Sequence, residues 1–197
     1  MKHLGRKLYH LLGGLLLLAL YPLLGRERAL WSYTVLAGIV LVLEIARLRS
    51  PAFNRMLFAH FGSFIRKNEE HRMTGTVPYL LGVGLSLLFY RFEIAAAAVC
   101  FLAFGDVAAT TVGERFGKTK ISGEKSLEGT LAFIAAAAAS GFLLALVNIP
   151  LMHGLILAGA LAAAVVELLP LPLNDNLVIP LASGGVMELI ARSTGCS

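Results

Sequence analysis

The fold class the sequence predicts is an all-α membrane bundle of about seven transmembrane helices with a cytoplasmic N-terminus, and three observations carry it. Of 197 residues, 57% are hydrophobic and 15% charged, with a mean hydropathy of +0.78. Soluble domains carry about 25% charged and about 45–50% apolar residues. The apolar residues also stand in long runs, and a run of about 18 or more reads as a membrane span. Finally, the basic residues alternate between connections. Lys2, Arg6 and Lys7 precede the first run, and Arg47, Arg49, Arg55, Arg66, Lys67 and Arg72 follow the second. Arg115, Lys118, Lys120 and Lys125 follow the fourth, while the intervening connections are poor in charge. The positive-inside rule places the basic connections in the cytoplasm. Topology therefore accounts for the net charge of +5, and nucleic acid is not an expected partner.

The expected spans are 8–25, 30–48, 76–91, 92–110, 127–147, 151–169 and 175–191. The first has a signal-peptide-like basic flank but no small-x-small cleavage site, so it reads as a retained helix. The third and fourth form a tight hairpin around Arg91-Phe92-Glu93. The last is interrupted by Pro180 and Gly184-Gly185 and reads as re-entrant as readily as spanning. Between the second and third lies the one extended polar stretch, about 49–74. Its Phe53, Met56, Leu57, Phe58, Phe61, Phe64 and Ile65 recur at helical spacing, as in an amphipathic helix lying in the membrane interface. No linker divides the chain, so 1–197 is expected to be a single membrane domain. Small residues at Ala95–Ala98, Ala135–Ser140 and Gly154–Ala164 predict close helix packing. Cys100 and Cys196 suggest neither a disulfide nor a zinc site.

Chemistry is sought among the ionisable residues in apolar surroundings, since each costs about 2.5–3.5 kcal/mol at a helix centre. His10, Glu44, Arg47, Asp106, Glu167 and Asp175 all fall toward cytoplasmic helix ends. Asp106 is followed on its own face by Thr110 and Gly113. The next segment, Gly113 to Thr130, offers Gly113, Gly117, Gly123 and Gly129 with Lys118, Lys120 and Lys125, and a helix start near Ser126. Glycine lets backbone amides approach a phosphate, lysine supplies charge, and a helix N-terminus favours an anion. The plainer reading is a solvated basic loop. The segment is not a G-x-x-x-x-G-K-[ST] loop, so a soluble-type NTPase is disfavoured. Asn174 or Asp175 caps the last helix. An acid there, in one layer with Asp106, could share Mg²⁺, which prefers carboxylate and phosphate oxygens. Arg6, Lys7 and His10 share a helical edge, and Glu44 and Arg47 at i,i+3 could simply pair. Glu69, Glu70, His71 and Arg72 read as a solvated loop unless the fold closes over them.

Taken together, Arg6-Lys7-Leu8-Tyr9-His10, Glu44-x-x-Arg47, the glutamates before Thr74-Gly75, Gly105-Asp106, Phe116-Gly117-Lys118, Lys125-Ser126-Leu127-Glu128-Gly129 and Asp175-Asn176-Leu177-x-Ile179-Pro180 resemble the polyprenol kinase family. That family includes dolichol kinase, phytol kinase and the CTP-dependent diacylglycerol kinases. The resemblance implies CTP as phosphate donor, Mg²⁺ as cofactor and an isoprenoid or glyceride alcohol as acceptor. The compact length is similar to prokaryotic members, which implies a protein of the cell (inner) membrane with a cytoplasmic site. Asp106 and Asp175 are then expected to hold the metal. Gly113, Gly117, Lys118, Lys120, Lys125, Ser126, Gly129, Asn176, Arg6 and Lys7 would hold the nucleotide. Asp106, Glu128 or His10 would orient or deprotonate the hydroxyl. A CTP:lipid-phosphate cytidylyltransferase would use similar groups. An ion-coupled transporter is the remoter alternative, since broken helices do not recur in both halves. Association into a homo-oligomer is compatible with the sequence and not specified by it.

Overall fold

The computed structural model describes residues 4–62 and 69–195. Among them are eight helices and one small hairpin: α1 (Leu4–Leu24), α2 (Arg26–Arg49), α3 (Pro51–Phe61), α4 (Thr76–Phe89), α5 (Phe92–Phe116), β1 (Lys120–Ser122), β2 (Lys125–Ser126), α6 (Leu127–Leu146), α7 (His153–Leu168) and α8 (Asp175–Ser193). The protein is an all-α membrane bundle. Helices α1, α2, α5 and α6 are long and apolar enough to cross a membrane, whereas α4 and α7 are apolar but shorter. Four of the seven expected spans are thus of crossing length among the described residues, and the third and sixth are present as shorter apolar helices.

Helix α5 is the axis. Every residue from Ile94 to Ala103 is buried, and α1, α4, α6, α7 and α8 all pack against it. The run Ala95–Ala98 makes this possible, because methyl side chains let several neighbours approach one helix in a setting where packing drives association. Phe101 of α5 lies against Gly141 of α6 and Gly159 of α7, and Phe133 of α6 lies over Gly105 of α5. Opposite, α2 keeps a broad outward face of Trp31, Val35, Ile39 and Val42, as expected of a helix in contact with lipid.

Three local expectations are corrected. The helix expected to end at 110 continues to Phe116, so Gly113 is a helical residue. There α5 meets α6 closely: a side chain on Gly129 would lie 2.9 Å from the Ala109 carbonyl oxygen and 3.4 Å from Gly113 Cα. The segment read as a glycine-rich loop is instead the β1–β2 hairpin, turned at Gly123 with φ +56°. Helix α8 runs unbroken through Pro180 and Gly184-Gly185. A proline is tolerated where neighbouring helices satisfy the freed carbonyl. The interfacial segment is helical over Pro51–Phe61; Phe64, Ile65, Arg66 and Lys67 lie outside the described residues, as does Cys196.

Candidate active site

Helices α4 and α7 both stop short on the same side of the bundle, where α4 begins and α7 ends, and a cavity of about 630 Å³ opens between them. Its polar end is built by four elements. Asp106 comes from α5, Lys125 from β2, Glu167 from the last turn of α7 and Asp175 from the first turn of α8. Lys125 is the centre of this group. Its Nζ lies 3.4 Å from Glu167 Oε1 and 3.5 Å from Asp175 Oδ2, and it donates to the Glu167 backbone carbonyl. The hairpin explains its position: Leu127 N bonds Thr119 O at 2.8 Å, closing the strands and projecting Lys125 under α7. Asp106 is braced on its own helix, with Thr110 Oγ1 donating to its carbonyl at 2.6 Å and approaching Oδ1 at 3.5 Å.

The α8 N-terminus completes this end. Pro170 and Pro172 cannot continue α7, and Asn174 caps α8 by accepting from Asn176 N at 3.0 Å. Asn176 Nδ2 in turn donates to the Gly75 carbonyl at 3.1 Å, tying α8 to the start of α4.

A buried ionic hub forms the next wall. Arg47 is 1% exposed. It donates to Glu44 Oε1 and Oε2 at 3.3 and 2.8 Å, to Asn54 Oδ1 at 2.9 Å, and to the carbonyls of Glu69, Glu70 and Arg72 at 3.3, 3.1 and 2.7 Å. Glu44 also accepts from the Thr74 amide and hydroxyl at 2.9 and 3.0 Å. The main chain of residues 69–72 is thus tied to Arg47, while Glu70, His71 and Arg72 stay exposed, as expected of a solvated loop. The i,i+3 pairing of Glu44 with Arg47 is present, and it is the smaller part of the arrangement. Gly75 N bonds Glu69 Oε1 at 3.2 Å, and both Glu69 and Gly75 face the cavity.

Of the residues singled out from sequence, Asp106, Lys125, Asp175, Asn176 and His10 line this one cavity. His10 stacks on Tyr79 with ring centroids 4.7 Å apart. Others stand apart from its lining. Gly113, Gly117 and Gly129 crowd around Ser126, whose hydroxyl accepts from Gly129 N at 3.2 Å as the cap of α6. Glu128 braces the hairpin approach, accepting from the amides of Lys118 and Thr119 at 3.2 Å. Lys118 and Lys120 are exposed, and Lys120 Nζ bonds the Glu124 carbonyl at 2.8 Å. Lys7 is buried and donates to Thr111 Oγ1 on α5 at 3.2 Å. The Arg6 side chain lies outside the described residues. Glu167 was legible as a costly acid in an apolar run, but nothing in the sequence placed it on Lys125.

Among the described residues, no three acids, histidines or cysteines form a ready metal cage. Asp106, Glu167 and Asp175 nevertheless give the cavity hard oxygen donors. Mg²⁺ is ordinarily held by one or two carboxylates together with substrate phosphates, a need that such a wall fits.

No family model matches the chain, and no solved structure matches it. Curated relatives do. The chain is 31% identical over 130 residues to "CTP-dependent diacylglycerol kinase 1" of Saccharomyces cerevisiae, covering 64% of this chain and 45% of that protein. It is 31% identical over 161 residues to the protein of the same name from Schizosaccharomyces pombe, covering 75% and 74%. It is 29% identical over 204 residues to "Farnesol kinase, chloroplastic" of Arabidopsis thaliana, covering 90% and 62%. The chain thus spans less than half the length of the budding-yeast relative and about three quarters of the fission-yeast one. With the residue pattern, the helical bundle and these relatives in agreement, the chain belongs to the polyprenol kinase family of lipid-alcohol kinases.

Proposed function

We propose that the chain is a CTP-dependent kinase that transfers a phosphoryl group to the hydroxyl of a membrane lipid alcohol at the cytoplasmic face. One observation carries the reading: Asp106, Lys125, Glu167 and Asp175 converge from four segments on a cavity whose opposite wall is apolar. Phosphoryl transfer asks a protein chiefly for positioning and for charge stabilisation, and such a wall supplies both. The names of the two yeast relatives support CTP as donor.

In this reading the acceptor oxygen attacks the γ-phosphorus. The bond from that phosphorus to the β–γ bridging oxygen breaks, and CDP leaves with its electron pair. The hydroxyl proton passes to Asp106 or His10, the two of the three sequence candidates that line the cavity; Glu128 is assigned instead to bracing the hairpin. Lys125 exchanges its partners Glu167 and Asp175 for phosphate oxygens. Lys120 on the hairpin and Lys118 just before it, with Lys7 at the start of α1, supply further positive charge at this end. Asn176 holds the α8 N-terminus toward the phosphates. Gly113, Gly117, Ser126 and Gly129 support the hairpin from behind. Asp106 and Asp175 are the residues that would hold Mg²⁺, which supplies charge neutralisation on the phosphate oxygens when bound.

The test is purified protein in detergent with Mg²⁺, γ-labelled CTP or ATP, and a panel of phytol, polyprenol and diacylglycerol. Label is expected in a lipid from CTP, with at least a hundredfold loss in folded Asp106→Asn and Lys125→Ala, about the size of a removed electrostatic contact. Full activity in both variants would overturn the site. Pyrophosphate release with a lipid phosphate, and no labelled alcohol, would make the chain a cytidylyltransferase instead.

A further inference from the structure

The cavity has a second half that phosphoryl transfer does not use. Val40 and Leu43 of α2 line it together with Leu57 and Phe61 of α3, facing the acids across the floor made by Leu102 and Ile179. Two polar residues on α2, Glu44 and Arg47, also reach this wall, and both are fully committed. A guanidinium has five N–H donors, and those of Arg47 already meet six acceptors. Both Glu44 oxygens bond Arg47 and Thr74. Asn54 on α3 is likewise spent, its Oδ1 on Arg47 and its Nδ2 on the Glu70 carbonyl at 2.9 Å. The α2–α3 wall therefore offers a ligand apolar contact and little else. A cytosine or adenine ring would lose its hydrogen bonds to water there without replacement, and burying polar groups unpaired is unfavourable. A hydrocarbon chain loses nothing.

The wall is also continuous with the bilayer. On α2 the row Leu36, Val40, Leu43 and Arg47, spaced by three and four, leads to the cavity. The adjoining row Val35, Ile39 and Val42 is exposed on the lipid side. Leu43 and Phe61, which line the cavity, are themselves 48% and 53% exposed, so they stand at its mouth.

From this we infer that the hydrocarbon tail of the acceptor alcohol lies between α2 and α3, on Val40, Leu43, Leu57 and Phe61, with its hydroxyl directed at the Asp106–Lys125 end. The assignment rests on the kinase reading for the identity of the ligand as an acceptor. The occupant is an amphiphile drawn from the membrane, with one oxygen-bearing end and an apolar body. Helix α3 is the lip over that tail and sets which tails are accepted.

The test separates the site from the reaction. Wild-type protein in nanodiscs, without nucleotide, is irradiated with tail-diazirine analogues of farnesol and of diacylglycerol, and labelled peptides are mapped by mass spectrometry. Label saturable by unlabelled alcohol is expected in peptides covering 36–49 and 51–61. In turnover, Leu57→Trp and, as a second probe, Val40→Trp are expected to raise the acceptor KM about tenfold, the scale of a pocket's response to a small change in apolar shape. The KM for CTP should stay within about twofold. Saturable label confined to other helices would overturn the assignment, as would variants that raise the CTP KM and leave the acceptor KM alone. If the label appears here but no phosphoryl transfer is found with any nucleotide, the lipid site stands and the kinase reading falls.

Discussion

Arg47 carries more of this structure than its place on an apolar helix suggests. It is buried with one carboxylate and four further acceptors, so its charge is neutralised and all its donors are used. Arg47→Ala is expected to destabilise the protein by about 3–5 kcal/mol, because it strands the Glu44 charge in the interior. Arg47→Lys keeps the charge but not the planar fork, so it should recover only part of the loss. Thermal unfolding of both variants in detergent checks this; equal stability to wild type would mean that the hub is not structural. Individual residues were legible to different depths. Glu44 and Arg47 at i,i+3 were readable as a pair, but the three backbone carbonyls on Arg47 leave no trace in residue types. Asp106, Lys125 and Asp175 stood out because charges in apolar runs are costly. That Lys125 meets both Glu167 and Asp175 depends on where a hairpin and two helix ends fall in space. The glycines were ambiguous by nature: Gly113 and Gly129 look alike whether a phosphate or a helix approaches them.

The α5–α6 crossing shows what that ambiguity means for an element. Gly129 has no room for a side chain, and only a shift of α6 away from Ala109 would make some. Gly129→Val is expected to cost about 1–3 kcal/mol through overpacking and to displace β2, which leads directly into α6. Stability by thermal unfolding should fall first, with Gly129→Ala between wild type and valine. An unchanged melting temperature with a raised CTP KM would instead give Gly129 to the nucleotide. Element boundaries were the least legible feature. The α5 helix outruns its apolar stretch because its last turns pack on α6 at Gly113, a tertiary contact rather than a local preference. Helix α8 stays whole because α4 and α5 pack along it, which outweighs the local effect of Pro180.

For the molecule as a whole, helix length explains where the cavity lies. At 1.5 Å per residue, the 14 residues of α4 and 16 of α7 reach only about 21 and about 24 Å. A bilayer core is about 30 Å thick. The helix ends at Thr76 and Leu168 stand beside the cavity, which Thr76 and Glu167 line. Irregular backbone at membrane depth is tolerated when it lines a polar cavity. The sequence announced the membrane bundle through its composition. It announced the short α4, expected over 76–91, but not the short α7, because apolar residues continue past its end into Leu169-Pro170-Leu171. Orientation is open to a direct check. In a background with Cys100 and Cys196 replaced, Glu124→Cys on the hairpin should resist an impermeant thiol reagent in intact cells, and Asn148→Cys between α6 and α7 should react. The reverse pattern would put the cavity on the outer side.

Three of the Arg47 contacts end on the main chain, at the carbonyls of Glu69, Glu70 and Arg72. A clamp that grips backbone follows the path of the chain and is indifferent to most of the letters written along it. The side chains of α3, apart from Asn54 and from Phe58, whose ring lies 5.6 Å from the Arg47 guanidinium, can therefore drift without loosening the wall they belong to. On the proposed tail site, a change of lipid preference would fall on α3 while the phosphate chemistry proposed for α5, β2, α7 and α8 stays as it is. Transplanting residues 51–75 between relatives of different acceptor preference, with Glu44 and Arg47 kept, is the engineering counterpart of that freedom.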